Sequence, residues 1–157
     1  MLRCFNYSIV FQEVPNEVSL AINISGCPNR CPDCHSKHLW EDVGEDMTTD
    51  FVESLVSKYE KDITCVCFMG GDNDQESVVN LAEDIKKRHG DLKIAWYSGK
   101  DGFPNLPMDS IDYMKVGGYR SDCGGLDKAT TNQRMYKKCN EGHFVDITEM
   151  FRKQKVA

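Results

Sequence analysis

Three cysteines fall within eight residues in Gly26-Cys27-Pro28-Asn29-Arg30-Cys31-Pro32-Asp33-Cys34, a Cys-x3-Cys-x2-Cys spacing. Thiolates gathered this closely bind a metal or a cluster. A structural zinc site closes with four ligands. An iron–sulfur cubane takes a ligand on each of its four irons, usually all thiolates. Three thiolates leave one iron of a cubane without a protein ligand, and an iron with an open position can bind and activate a substrate. The spacing therefore points to chemistry rather than to a staple. His35 and His38 follow Cys34 and keep a second reading open: with one of them the loop closes as a Cys3His zinc site, the mark of a non-enzymatic interaction module.

A second group of residues able to do chemistry is Gly70-Gly71-Asp72, which ends the apolar run Ile63–Met69. Glycines let backbone approach a ligand closely, and a carboxylate can pair with an ammonium; the alternative is an ordinary strand-end turn. The other five cysteines are Cys4, Cys65, Cys67, Cys123 and Cys139. Cys65 and Cys67 stand two apart and share one face of a strand, which reads as small buried side chains rather than ligands. A second metal site or reactive pair at Cys123 and Cys139, far apart in a polar, glycine-rich stretch, has little support from sequence.

These groups need elements to hold them. An extended run, Tyr7 to Val14, stops at Pro15-Asn16, and Val18–Ile24 alternates apolar with small or polar residues straight into the cysteine loop. Asp50 and Glu53 form a capping-box pattern ahead of a helix to Tyr59, with Phe51, Leu55, Val56 and Tyr59 as its apolar face. Ile63–Met69 reads as a strand covered on both faces. A helix over Asp74–His89 stops at Gly90, with Lys86-Lys87-Arg88 as its solvated, dipole-compatible last turn. Strands follow at Lys93–Tyr97 and Tyr113–Val116, with Asp101–Asp109 as loop, and a final strand at His143–Thr148. Asn132-Gln133-Arg134 reads equally as polar loop, helix start or partner contact; Asp112 and Lys115 flank a strand aimed at the site, where a surface ion pair is the commoner outcome. The tail from Phe151 reads as frayed surface.

Strands alternating with helices predict βαβ units, a mainly parallel sheet and the α/β class. Each chemical group follows a strand, where ligands collect in such folds. The 157 residues fit one domain, 1–157, and fall short of an eight-fold barrel of about 250. No apolar run approaches the roughly 20 residues that cross a bilayer, and no signal-peptide core follows Met1, so the expected location is cytoplasmic, away from membranes. A net charge of -6 argues against binding duplex nucleic acid. The cysteines are too sparse for a disulfide scaffold.

The Cys27-x3-Cys31-x2-Cys34 loop after a strand resembles the cluster loop of the radical S-adenosylmethionine (SAM) superfamily. That resemblance implies a [4Fe–4S] cluster on Cys27, Cys31 and Cys34, with the amino and carboxylate groups of SAM on the fourth iron; reductive cleavage of the sulfonium then gives methionine and a 5′-deoxyadenosyl radical. Gly70, Gly71 and Asp72 match the family's Gly-Gly-Glu-like segment, which receives the SAM amino group, and this branch often has Asp there. Lys115-Val116-Gly117-Gly118-Tyr119, Gly124-Gly125-Leu126-Asp127, Thr130 to Tyr136 and Val145-Asp146-Ile147-Thr148 are similar to the activating proteins of anaerobic ribonucleoside-triphosphate reductases, as is Trp96-Tyr97-Ser98-Gly99. The likeness covers nearly the whole chain. It implies a shortened, open (βα)-type partial barrel. It also implies abstraction of a hydrogen atom from one glycine of the large reductase subunit, and a flavodoxin-type electron donor. An activase of another glycyl-radical enzyme shares the cluster but not the partner. The chain departs from the pattern in carrying Asp33, not an aromatic residue, before the third cysteine and His35, not Tyr, after it. Both are candidate neighbours of the adenosine. Gly-Gly-Asp is followed by Asn73-Asp74-Gln75 rather than by a proline-containing segment.

Overall fold

The computed structural model describes residues 2–26 and 44–151. In chain order they form β1 (Arg3–Val10), β2 (Ser19–Ile24), β3 (Glu45–Asp46), α1 (Thr49–Tyr59), β4 (Cys65–Met69), α2 (Gln75–Arg88), β5 (Lys93–Tyr97), β6 (Tyr113–Val116), β7 (Arg134–Lys138) and β8 (Phe144–Asp146). All eight strands join one mixed sheet in the order β3-β1-β2-β4-β5-β6-β7-β8. The four central strands, β2, β4, β5 and β6, are parallel, in register from Ser19↔Cys65 and Cys65↔Lys93 to Tyr97↔Lys115. Both flanks are antiparallel: β1 with β2 and β3 on one side, β7 with β6 and β8 on the other.

The central strands are buried on both faces, as their near-continuous apolar runs require. One face carries Leu20, Ile22, Ile24, Val66, Phe68, Ile94, Trp96 and Met114 and is covered by both helices through Val52, Val56, Val78, Val79, Ala82 and Ile85. Fully burying each large side chain here contributes about 1.5–3 kcal/mol, so this face holds most of the fold's stability. Cys65, Cys67, Ala95, Tyr113 and Met135 lie on the opposite face, under Val14 and Phe151, where neither α1 nor α2 covers them.

The N-terminus of α1 corrects the expected capping box. Thr48 is the cap, its hydroxyl accepting from Phe51 N at 3.0 Å, and Asp50 sits inside the first turn, where its charge suits the dipole. Glu53 accepts from Ser57 Oγ at 2.8 Å and meets His89 Nε2 at 2.9 Å. His89 Nδ1 lies 2.7 Å from Glu60, so this one ring, 11% exposed, clamps the end of α2 to α1. Asp74 caps α2: its carboxylate accepts from Ser77 N and, at 2.6 Å, from Ser77 Oγ.

Candidate functional site

Because β2, β4, β5 and β6 are parallel, their C-terminal ends share one edge of the sheet. Ser25-Gly26, Gly70-Gly71-Asp72, Ser98-Gly99 and Gly117-Gly118 line that edge in sheet order. Gly26, at φ 74, turns the chain from β2 towards the cysteine loop, and Asn23 of β2 pairs with Met69 of β4 beside it. Cys27, Cys31, Cys34, Asp33, His35 and His38 themselves lie outside the described residues.

The Gly-Gly-Asp segment is built into this edge by its backbone and by its carboxylate. Gly70 and Gly71 have φ of 114 and 97, conformations that L side chains rarely adopt. A Cβ on Gly71 would stand 2.5 Å from Val78 Cγ2, so the turn can rest on α2 only with glycine there. Gly70 O accepts from the buried indole of Trp96 at 2.8 Å, and Gly70 N donates to Tyr97 O at 3.0 Å. Asp72 spans to the next strand: Oδ1 accepts from Ser98 Oγ at 2.6 Å and from Gln75 Nε2 at 3.1 Å, and Oδ2 accepts from Gly99 N at 2.8 Å. The in-register pairing of Met69 with Tyr97 makes this bridge, by setting the residues after β4 beside those after β5. The carboxylate thus holds two adjacent strand ends in one fixed shape.

Beyond β5 the edge continues in residues whose placement the sequence did not reveal. Lys115 is 7% exposed; its amine donates to Gly117 O at 2.6 Å and Ser98 O at 3.2 Å and lies 5.6 Å from the centre of the Tyr97 ring. The expected surface ion pair falls to Asp112, which meets Lys86 at 2.7 Å and accepts from Ile94 N. Gln133, also 7% exposed, donates to Gly117 O at 3.2 Å, and Asn132 Nδ2 donates to Gly118 O at 2.9 Å. Asn132 Oδ1 is buried and accepts no hydrogen bond. Arg134 starts β7 and holds Asp146 at 2.7 Å. The one signal that could have placed Lys115 is parity: it shares the face of Tyr113, which α1 and α2 leave uncovered.

Cys4, Cys65 and Cys67 are packed as buried side chains. Cys65 starts β4, at the far end of the sheet from Gly26. Burial pushes its thiol up to about 12, and it pushes that of Cys67 well above the usual range. Cys4 pairs with Ile24 near the loop's entry, but it is buried and donates to Asn6 O, and burial with the nearby Glu45 charge raises it to about 11. Burial thus favours the neutral thiol in all three. The reading of Cys65 and Cys67 as buried apolar side chains holds. Among the described residues no helix is long and apolar enough to cross a membrane.

Searches of curated proteins and of solved structures give no match. A family model described as a 4Fe-4S single cluster domain matches residues 17–108, more than half of the chain, from the start of β2 through the cysteine loop to beyond β5. The chain belongs to this family of iron–sulfur proteins, the 4Fe-4S single cluster domains.

Proposed function

We propose that this iron–sulfur protein is a radical SAM activase. It reductively cleaves SAM at its [4Fe–4S] cluster and abstracts a hydrogen atom from a glycine of the large subunit of an anaerobic ribonucleoside-triphosphate reductase. The observation that carries the reading is the thiol inventory. The matched stretch contains five cysteines, Cys27, Cys31, Cys34, Cys65 and Cys67, and the last two are buried and built into β4. Three thiolates remain for four irons. Family membership in a cluster domain also weighs against the Cys3His zinc module at this loop.

When bound, the cluster supplies one electron to a sulfonium held at its open iron. The chain's own work is to bind and orient. Cys27, Cys31 and Cys34 hold the cluster. Gly70, Gly71 and Asp72 shape the neighbouring edge for the methionine end of SAM, and the buried ammonium of Lys115 adds positive charge suited to a carboxylate two strands away. Asp33 and His35 border the adenosine. Asn132 Oδ1, a buried acceptor, suits a peptide N–H of the glycine-bearing segment. The reading takes the four parallel strands, with α1 and α2 on one face, as a shortened, open (βα)-type partial barrel whose other face looks onto the reaction. It places the protein in the cytoplasm, with a flavodoxin-type donor.

The test is anaerobic incubation of the reconstituted protein with SAM, reductant and the large reductase subunit. The proposal expects 5′-deoxyadenosine and a glycyl-radical signal on the partner, both lost in Cys27→Ala, Cys31→Ala and Cys34→Ala. Deoxyadenosine without a radical on that subunit transfers the reading to an activase of another glycyl-radical enzyme. No deoxyadenosine from a cluster-loaded protein ends it.

A further inference from the structure

We propose that the hairpin joining β7 to β8 carries a zinc site, formed by Cys139, Glu141 and His143, that is separate from the cluster. The ligand atoms of these three side chains all lie within 4.8 Å of one another. The hairpin brings them together by its backbone. Cys139 N donates to His143 O at 2.8 Å, and Gly142 N donates to Cys139 O at 3.0 Å, with Gly142 at φ 89. The register pair Lys138↔Phe144 precedes them, so Cys139 and His143 are the next opposed pair and their side chains share a face. Glu141 stands in the turn between them, with its carboxylate 3.8 Å from His143 Nδ1.

The donor set selects the ion. Thiolate, imidazole and carboxylate together suit a borderline-soft divalent metal; magnesium and calcium prefer oxygen throughout. Bonds of about 2.0–2.3 Å to a tetrahedral zinc bring ligand atoms to about 3.3–3.8 Å of each other, so the three must draw in by roughly 1 Å. The side chains of Glu141 and His143 are 84% and 63% exposed and have the freedom to do so. The neighbouring ammonium of Lys138 is turned away, donating to Met108 O and Asp109 O. One position is left for water, which makes the site open rather than closed. Because β7 runs antiparallel to β6, the hairpin lies at the opposite edge of the sheet from Gly70–Asp72 and the entry to the cysteine loop. Zinc found with the purified protein would therefore say nothing against a cluster at Cys27, Cys31 and Cys34.

The experiment uses the full chain with its cluster assembled, so that iron occupies the loop thiols, and dialyses it anaerobically against zinc chloride. One zinc per chain beyond the cluster iron is expected, with an X-ray absorption spectrum at the zinc edge showing one sulfur at about 2.3 Å and nitrogen or oxygen at about 2.0 Å. Cys139→Ala and His143→Ala should lose the zinc at unchanged iron content, which shows the variants folded. Glu141→Gln should weaken binding at least as much as loss of an outer-shell partner does, about ten- to a hundredfold. Zinc content equal in wild type and in both alanine variants, or no zinc retained by the wild type, overturns the site. A zinc coordinated by three sulfurs does so too, by placing the ion in the cysteine loop; this spectrum of the wild type decides even if the variants fail to fold.

Discussion

Replacing Asp72 by Ala removes two acceptor oxygens and with them the hydrogen bonds from Ser98 Oγ, Gly99 N and Gln75 Nε2. Hydrogen bonds to a charged group are worth about 1.5–3 kcal/mol each. The three are not additive here. Gly99 and Gln75 are partly open to water, whereas Ser98 is 1% exposed and its hydroxyl cannot turn to solvent. The net cost works out at about 2–3 kcal/mol, dominated by the orphaned serine. Asp72→Asn is the discriminating control. Its amide can keep the oxygen towards Ser98 Oγ and Gln75 Nε2, which spares the buried hydroxyl, with the NH2 on the side of Gly99 N, itself a donor. The contact with Gly99 N, which is partly open to water, and the charge are then lost, for about 1 kcal/mol. Chemical denaturation of the reconstituted protein under argon measures both variants, read as a shift in midpoint at constant slope. An Ala variant within about 0.5 kcal/mol of wild type would refute the bridge, since that is the range of uninvolved surface changes. An Asn variant as damaging as Ala would refute the assignment of which donors face which oxygen.

Three further outcomes follow from the same structure. Gly71→Ala forces a left-handed backbone and a Cβ onto Val78, so it should cost more than the 1–2 kcal/mol of the backbone term alone (about 1–2 kcal/mol) and lower the melting temperature by several degrees; an unchanged melting curve contradicts the packing. Cys65 and Cys67 should resist iodoacetamide in the native protein at neutral pH, and Cys67→Ala should keep full iron content; rapid alkylation would contradict their burial, and iron loss would make Cys67 a ligand after all. At Glu53, burial alone would raise the carboxyl, but hydrogen bonds from Ser57 and His89 and the charges of His89 and Arg88 outweigh it and hold it below 4.5. A lowered folded value stabilises above the unfolded one, and that stabilisation is lost as pH falls from 4.5 through the folded value. Unfolding followed from about pH 5.5 down to about pH 3 should therefore show a steeper acid loss in wild type than in Glu53→Gln; equal slopes count against the clamp.

Much of the fold was legible because its central elements bury so much. The apolar runs that became β2, β4, β5 and β6, and the periodic faces of α1 and α2, follow directly from the need to cover both faces of a parallel sheet. The flanks were less readable. β1 begins at Arg3 rather than Tyr7, because its early residues are held by backbone pairing to β2 and β3 and not by burial. β3 is two exposed acids fixed by the same pairing. β7 reads as a polar segment since only Met135 in it is buried; its strand character comes from β6 and β8. The cap at Thr48 competed with an equally plausible pattern two residues on, and packing of Glu53 on His89 decided between them. At the site, Gly-Gly-Asp announced itself by type and spacing. The bridge of Asp72 to Ser98 and Gly99 depends on strand register, which a linear pattern does not encode, and the burial of Gln133 on its contact with Gly117, far off in sequence; parity alone hinted at the face of Lys115.

The proposed chemistry meets its most direct test in one assay. Protein reconstituted without oxygen, carrying about four irons per chain, is reduced in the presence of SAM, and 5′-deoxyadenosine and methionine are quantified against the Cys34→Ala variant. Stoichiometric or greater cleavage by wild type and none by the variant is the predicted result. A fully loaded, reducible cluster that leaves SAM intact would contradict an open iron serving this substrate.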